Sequence, residues 1–277
     1  MNKTTFTMAM ASLLMMSCAQ TANEAADTPA PTTITWIEDK PGPTLQEHKI
    51  FPNVPDSLWE ALGLQEGVPS SMSCFLLRTV DSNSTESGQT GSPITILLDA
   101  GLGAPFSQLI PKLKEEGVIP DSLKLIYITH MHPDHIGGLL KDGARVFPNA
   151  ELWINRVEVE AWKAMDDDNA ALPKAVLEAY KDNLKLFEAG DTLSGGVNTI
   201  AAYGHTPGHT AFQKDSILVI ADLMHGAALQ LKHPEYCPFF DMNPEEAIAL
   251  RKRILEYAKK NNLTMYGMHI PEGVVKE

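Results

Sequence analysis

The sequence predicts an α/β fold in which mixed β-sheets are covered on the outside by helices. From Ser71 onwards, short apolar segments of strand type alternate with segments whose apolar residues recur at helical spacing. Some successive strands are separated only by a turn and others by a helix, so mixed sheets are expected. With 277 residues, of which 44% are hydrophobic, and no internal repeat, the chain is expected to form one large domain.

Apolar segments bounded by turn residues define the strands. They are predicted at residues 75–80, 94–99, 123–129, 197–203, 216–222 and 263–267. The polar insert at 81–92 (DSNSTESGQTGS) is expected to form the tip of a hairpin, and residues 213–215 a turn.

Three segments have helical periodicity. A short amphipathic helix is predicted at 109–116, and a longer one at 173–188 because Val176, Leu177, Tyr180, Leu184 and Phe187 recur at helical spacing. The last helix is expected to begin after Asn243, with Pro244 in its first position and an acid at residue 246. Ala247, Leu250, Ile254 and Tyr257 would form its apolar face, and two lysines would close its end.

The N-terminus indicates export. Residues 8–16 form an apolar run that is too short to span a bilayer, and the sequence LMMSC around Cys18 resembles the lipobox of a bacterial lipoprotein. We therefore predict a signal peptide at 1–17, lipidation of Cys18, a flexible tether at 18–45 and a folded domain at 46–277, located in the cell envelope. The alternative is an ordinary secretory signal. Cys74 and Cys237 are expected to be separate buried thiols, with a disulfide as the alternative.

Charge excludes several classes of partner. The formal net charge of -13 disfavours nucleic acid, which requires a basic surface. An anionic bilayer surface would repel the domain for the same reason, which leaves the lipid anchor as its only expected contact with a membrane.

A histidine-rich run carries the main functional signal. In THMHPDH, His130, His132 and His135 surround Asp134 directly after a buried strand. His130 and His132 can point the same way from an extended backbone, whereas the next two side chains turn away. Imidazole and carboxylate together suit Zn²⁺ or a similar divalent ion. The alternative interpretation is a polar surface loop.

Further donor residues follow other predicted strands and turns. His209 comes after the tight turn Thr206-Pro207-Gly208, while Asp222 and His269 lie at or just beyond the ends of buried strands. Taken singly, each would be an ordinary polar residue. Together with the histidine run, they indicate a site to which several strand ends contribute.

These motifs resemble the metallo-β-lactamase superfamily. The segments are ILLDAG, THMHPDHIGG, HTPGHT, VIAD and GMHIP. The resemblance implies a four-layer αβ/βα sandwich with two divalent ions, and Zn²⁺ is favoured. It assigns His130, His132 and His209 to the first ion, and Asp134, His135 and His269 to the second. Asp222 would be shared, while Asp99 and His205 would support ligands without binding metal.

The implied chemistry is metal-assisted hydrolysis. Two ions lower the pKa of bridging water, and Asp134 is expected to orient the nucleophile and transfer a proton. Asp222 argues against the antibiotic-degrading subclass, which has Cys there, and the eight residues after His269 leave no room for the helical domain of glyoxalase II.

FPNAELWI and ADLMHGAALQ most resemble the methyl parathion hydrolase-like branch, close to the acyl-homoserine lactonases. Those lactonases have a tyrosine three residues after the bridging aspartate, where this chain has His225. A histidine there would either donate a hydrogen bond to the substrate carbonyl or act as a supporting or merely polar loop residue.

We therefore expect an exported hydrolase of small neutral esters, above all lactones, with aryl phosphotriesters as secondary substrates. The alternatives are a β-lactamase or thioesterase with the same site, and an envelope protein that binds metal without catalysis. The chain stops soon after His269, so the pocket is expected to be open or covered by a second subunit in a homodimer.

Overall fold

The computed structural model describes residues 31–81 and 92–276. The predicted signal peptide, the lipidation site Cys18 and most of the predicted hairpin tip lie outside these residues. No helix in the described ranges has the length and apolar run that a membrane crossing requires.

Within these residues the chain forms the following strands and α-helices. The strands are β1 Thr33–Glu38, β2 Thr44–Gln46, β3 Val68–Ser70, β4 Ser73–Asp81, β5 Ser92–Leu98, β6 Leu125–Ile128, β7 Leu140–Lys141, β8 Ala144–Arg145, β9 Glu151–Asn155, β10 Leu184–Phe187, β11 Thr192–Leu193, β12 Val197–Ala201, β13 Thr210–Lys214, β14 Ile217–Val219 and β15 Thr264–Tyr266. The helices are α1 Asp56–Leu62, α2 Leu109–Glu115, α3 Pro133–Ile136, α4 Arg156–Ala164, α5 Ala171–Ala179, α6 Ala227–Gln230 and α7 Pro244–Lys260.

Two mixed sheets form the centre of the domain. The larger sheet has the order β1-β4-β5-β6-β9-β10, and its last four strands are mutually parallel. The smaller sheet has the order β11-β12-β13-β14-β15, and only its last pair is parallel. The prediction of mixed sheets is confirmed.

The packing of side chains gives four layers. On β4, Phe75 and Leu77 point into the core between the two sheets, whereas Leu76 points into the core under the outer helices α2, α4 and α5. This alternation follows from the two-residue period of a strand. On the other side, α7 packs on the smaller sheet through Ile254 and Ala258. The order helix, sheet, sheet, helix is the predicted sandwich.

Two predicted boundaries are wrong. The helix predicted at 173–188 ends at Ala179, and residues 184–187 form β10, which pairs in parallel with β9. The apolar spacing is shared by both structures, and the free edge of β9 decides between them. The tether predicted at 18–45 also extends too far, because β1 already pairs with β4 along all six of its residues.

Both cysteines of the described residues are free thiols. Cys74 is buried, whereas Cys237 is half-buried, so the disulfide alternative is wrong and the second thiol is less buried than expected.

Candidate metal centre

The ends of several strands meet at one edge of the sandwich. The loop after β6 carries His130 and His132 and leads into α3, a single turn that carries Asp134 and His135. Asp222 follows β14, and His269 follows β15. These loops bring all but one of the donor side chains expected from the sequence into one cluster.

The first group of donors consists of three imidazoles. His130 Nε2 lies 3.0 Å from His132 Nδ1, which lies 2.9 Å from His205 Nε2, and the third side of this triangle measures 3.2 Å. Asp222 Oδ2 lies 3.6 Å from His130 Nε2 and 3.4 Å from His205 Nε2. We call His130, His132 and His205 the imidazole cluster.

The second group of donors contains two imidazoles and a carboxylate. Asp134 Oδ2 lies 3.8 Å from His135 Nε2 and 3.3 Å from His269 Nε2. Asp222 reaches this group as well, since its Oδ1 lies 3.3 Å from His135 Nε2 and its Oδ2 lies 3.1 Å from His269 Nε2. We call Asp134, His135 and His269 the carboxylate cluster. Asp222 therefore lies between the two clusters and contacts both.

The prediction that His209 is the third ligand of the first ion is wrong. Its Nδ1–H donates to the Ala202 carbonyl at 2.8 Å, and its Nε2 accepts the backbone N–H of Asp222 at 3.3 Å. A neutral imidazole has one donor and one lone pair, so neither nitrogen of His209 is left for a metal. His205, expected to be only a supporting residue, takes the place of the ligand. His209 instead holds the backbone of Asp222.

In four of the five cluster histidines, the ring nitrogen that faces away from the cluster has an oxygen partner. The pairs are His130 Nδ1 with Thr129 Oγ1 at 3.0 Å, His205 Nδ1 with Asp241 Oδ1 at 2.8 Å, His135 Nδ1 with Asp99 Oδ2 at 2.6 Å, and His269 Nδ1 with the Ser71 carbonyl at 2.9 Å. Such partners orient metal-binding histidines and fix their tautomers. Asp99 supports a ligand without joining either cluster, as expected.

Two buried atoms support the fit of a divalent ion. His135 Nε2 and Asp222 Oδ1 face each other at 3.3 Å, and neither makes a hydrogen bond. Leaving a buried polar atom unpaired is costly, whereas both atoms are natural metal ligands. The sides of the imidazole triangle also approach the separation of about 3.3 Å between ligands of a tetrahedral ion with bonds of about 2.0–2.1 Å. The donor set therefore fits two ions bridged by Asp222.

Electrostatics differ between the two clusters. Burial, followed by the neighbouring His205, lowers the pKa of His132 to about 3, and burial holds the pKa of His130 well below its ordinary value. Burial also opposes a charge on His269, but Asp222 and Asp134 outweigh it and raise the pKa of His269 to about 10. Two rings of the imidazole cluster are thus neutral, whereas burial of the third, His205, is outweighed by its hydrogen bonds to Asp222 and Asp241, which raise its pKa. In the carboxylate cluster, Asp134 and Asp222 supply negative charge that attracts a cation.

His225 lies against the bridging carboxylate. Its Nε2 is 3.0 Å from Asp222 Oδ2, and its ring stacks on that of His269 with centroids 5.0 Å apart. Only 2% of the residue is exposed, and Nδ1 makes no hydrogen bond. Burial lowers the pKa of His225 to about 4, so the ring is neutral near pH 7.

Three buried charged residues behind the site were not identified from the sequence. Asp241 pairs with His205, and Arg251 Nη2 lies 3.4 Å from Asp241 Oδ2. Glu158 lies below the loops that carry the imidazole cluster. On α7, Arg251 and Ala258 are buried where Leu250 and Tyr257 were expected. A charged residue on the apolar face of a helix was the available signal.

Comparison with known proteins identifies the family. Residues 94–269 match the sequence profile of the metallo-β-lactamase superfamily, which is more than half of the chain. The chain belongs to the metallo-β-lactamase superfamily. The fold predicted from the sequence is confirmed, and the chain is a metal-dependent hydrolase of this superfamily.

Its sequence relatives include N-acyl homoserine lactonases. AiiA of Bacillus thuringiensis subsp. kurstaki is 28% identical over 214 residues, which cover 71% of this chain and 80% of AiiA. AttM of Agrobacterium fabrum is 26% identical over 181 residues, which cover 59% of this chain and 64% of AttM. The expected likeness to the acyl-homoserine lactonase-like branch is thus confirmed.

Solved structures agree with this fold. The hydrolase AbOPH of the β-lactamase superfamily superposes with a TM-score of 0.72 at 25% identity, covering 88% of this chain and 89% of AbOPH. AidC, a dizinc quorum-quenching lactonase, superposes with a TM-score of 0.74 at 22% identity, covering 89% of this chain and 90% of AidC.

Proposed function

We propose that this chain is a dinuclear hydrolase that cleaves small neutral esters, with lactones as the main substrates. One observation carries the proposal: the Asp222 carboxylate lies within 3.6 Å of donor atoms from both clusters. The imidazole cluster would hold one ion and the carboxylate cluster the other, with Asp222 shared. Zn²⁺ is the favoured metal because five of the seven donors are imidazoles.

A pair of bound ions supplies hydroxide from water near neutral pH and polarises the carbonyl oxygen of an ester. The chain's own residues orient the reactants. Asp134 is the more accessible carboxylate of the site, with 22% of its side chain exposed against 2% for Asp222. We assign to Asp134 the orientation of the attacking water and the transfer of its proton to the leaving alkoxide.

For His225, the geometry favours a supporting role. A neutral imidazole has a single N–H, and the Nε2 of His225 faces Asp222 Oδ2. Donation from Nε2 to Asp222 leaves Nδ1 as an acceptor, which cannot donate to a substrate carbonyl. We therefore propose that His225 holds the bridging carboxylate, in contrast to the substrate-facing role weighed from the sequence.

Apolar residues beside the site support a neutral substrate. Phe239 and Met242 are 66% and 44% exposed, and the Phe240 ring lies 4.9 Å from that of His225. We call Phe239, Phe240 and Met242 the apolar rim, and propose that it contacts the acyl or aryl substituent of the substrate. The net charge of -13 disfavours anionic substrates at long range. Among neutral esters, the lactonase names of the relatives favour lactones.

A panel of substrates tests this proposal. The metal-loaded protein is assayed with γ-butyrolactone, N-hexanoyl homoserine lactone, p-nitrophenyl acetate, an aryl phosphotriester, a thioester and nitrocefin. We expect the highest kcat/KM with a lactone, loss of turnover in His132→Ala, and full turnover in His233→Ala, a half-exposed histidine outside both clusters. A higher kcat/KM with nitrocefin or the thioester would replace the substrate assignment. Two bound ions without any turnover would indicate a metal-binding protein.

Export remains a separate proposal that rests on the sequence alone. We propose that Cys18 is lipidated and anchors the domain in the cell envelope. Labelling of cells with a tagged fatty acid should mark the wild-type protein and leave the Cys18→Ser variant unmarked. An unlabelled wild-type protein would contradict the anchor.

A further inference from the structure

Glu158 is a buried carboxylate outside the ligand set. It lies on α4 and has no exposed surface. Burying an ionised carboxylate is costly unless hydrogen-bond donors surround it. Glu158 has four such donors: one lies on α4 itself, and the other three come from two loops that are distant in the chain.

Each oxygen of Glu158 accepts two hydrogen bonds. Oε1 accepts the backbone N–H of Met131 at 2.9 Å and the indole N–H of Trp162 at 2.6 Å. Oε2 accepts the hydroxyl of Thr206 and the backbone N–H of Gly208, both at 2.8 Å. The carboxylate therefore joins the loop after β6 to the loop before β13.

Three of these donors are adjacent to the imidazole cluster. Met131 lies between His130 and His132 in the chain, and Thr206 directly follows His205. The Trp162 ring meets the His132 ring edge-on, with centroids 5.8 Å apart. None of the hydrogen bonds described for Glu158 involves Asp134, His135 or His269.

Gly208 permits this close approach. A Cβ atom at Gly208 would lie 2.3 Å from the backbone nitrogen of Glu158 and 2.6 Å from its Cβ. Any larger residue would push α4 away from the loop. The glycine of the HTPGHT motif thus has a packing role beyond forming a turn.

We propose that Glu158 is a positioning residue for one half of the metal centre: it fixes the spacing of the imidazole cluster and leaves the carboxylate cluster unaffected. The inference rests on the proposed dinuclear site, because it assigns Glu158 to one of the two ions. Its loss should weaken one binding step and leave the other intact. A residue that only stabilised the fold would weaken both steps or neither.

Stepwise metal titration tests this selectivity. Apo-protein is titrated with Zn²⁺ against a fluorescent chelator, and His132→Ala and Asp134→Asn identify which step belongs to which cluster. In Glu158→Gln we expect the step lost in His132→Ala to weaken by about 10- to 100-fold, the range typical of residues that orient metal ligands. The step lost in Asp134→Asn should stay within threefold of wild type.

Two further variants make the result decisive. Thr206→Val removes one donor from the Glu158 carboxylate while keeping the shape of the side chain, so it should weaken the same step by a smaller factor even if Glu158→Gln does not fold. Tyr180→Phe removes buried hydrogen bonds to Leu139 and Phe147, which belong to neither cluster, and serves as the control. It should leave both steps unchanged.

Equal weakening of both steps, weakening of the Asp134 step alone, or no change in either step would overturn the inference. The same selective loss in Tyr180→Phe would overturn it too. A wild-type protein that binds two ions without hydrolysing any ester would refute the proposed function and leave the role of Glu158 standing.

Discussion

The imidazole cluster and the carboxylate cluster share Asp222 but are built differently. The imidazole cluster consists of three rings whose nitrogens approach within 3.2 Å, and Glu158 and Asp241 hold the loops and rings from behind. The carboxylate cluster includes the partly exposed Asp134, and its carboxylates raise the pKa of His269. One half is thus arranged as a rigid binding site and the other as a charged, more accessible site.

This difference suggests a division of labour. A cluster of oriented imidazoles binds an ion through geometry, whereas a cluster with carboxylates binds it through attraction and leaves room for a substrate. The expected effects are largest at the residue that the clusters share and smallest at residues that touch neither ion.

The largest effect is expected from Asp222→Asn. The amide removes the negative charge that both clusters share, so kcat/KM for a lactone should fall by about a thousandfold or more, equivalent to about 4 kcal/mol. Metal content, measured by atomic emission, should fall in both clusters. The exposed Asp215→Asn, on the turn after β13, is the control and should behave as wild type. A fully active Asp222→Asn variant would show that the clusters do not act as one centre.

The next effect separates the two histidines of the HTPGHT motif. His205→Ala removes a member of the imidazole cluster, so the protein should retain about one ion per chain instead of about two. His209→Gln should keep both ions and lose only about tenfold in activity, because His209 supports the backbone of Asp222. Metal content of the two purified variants decides between them, and the reverse pattern would restore His209 as the ligand.

Removal of the metal should lower the free energy of unfolding, and the loss should be larger the more tightly each cluster binds its ion. An ion present at about 100 times its Kd stabilises the folded state by about 2.7 kcal/mol. For a domain of this size, chelation at one such site should lower Tm by about 5–10 °C, with recovery when Zn²⁺ is added back. Scanning calorimetry measures the shift, and Asp222→Asn should respond much less. An identical Tm with and without chelator would mean that neither cluster binds metal.

The smallest effect is expected at the apolar rim. Phe239→Ala removes an exposed ring that contacts none of the residues of the two clusters. Partial loss of its contact with the acyl chain of the substrate should cost about 1 kcal/mol of binding free energy. KM for N-hexanoyl homoserine lactone should rise about fivefold, while KM for γ-butyrolactone should not change. Tyr257→Ala, at an exposed aromatic residue on the outer face of α7, is the matched control. Equal effects on both lactones would remove the rim from the substrate site.

The sequence predicted correctly those elements whose structure depends on neighbouring residues in the chain. The cap at Asn243, the proline after it and the lysines at the end located α7. The Asn243 side chain accepts the backbone N–H of Glu246, as a cap does. In contrast, residues 184–187 have apolar spacing that suits either a helix or a strand, and the partner β9 decided the outcome. β1 was assigned to a tether because its partner β4 lies far along the chain.

The same limit applies to the site. THMHPDH predicted four ligands because its spacing alone arranges them. His205 and His209 flank one turn, and the choice between them depends on the backbone N–H of Asp222, which takes the lone pair of His209. Glu158, Asp241 and Arg251 act through contacts that are distant in sequence. Residue pattern can therefore indicate the ligands, whereas the groups that hold them require the fold.

Anomalous diffraction from crystals grown with Zn²⁺ would locate the bound ions and their ligands. Two peaks are expected. One should be bound by His130, His132 and His205, the other by Asp134, His135 and His269, and Asp222 should contact both. A single peak, or an ion bound by His209 in place of His205, would contradict this arrangement.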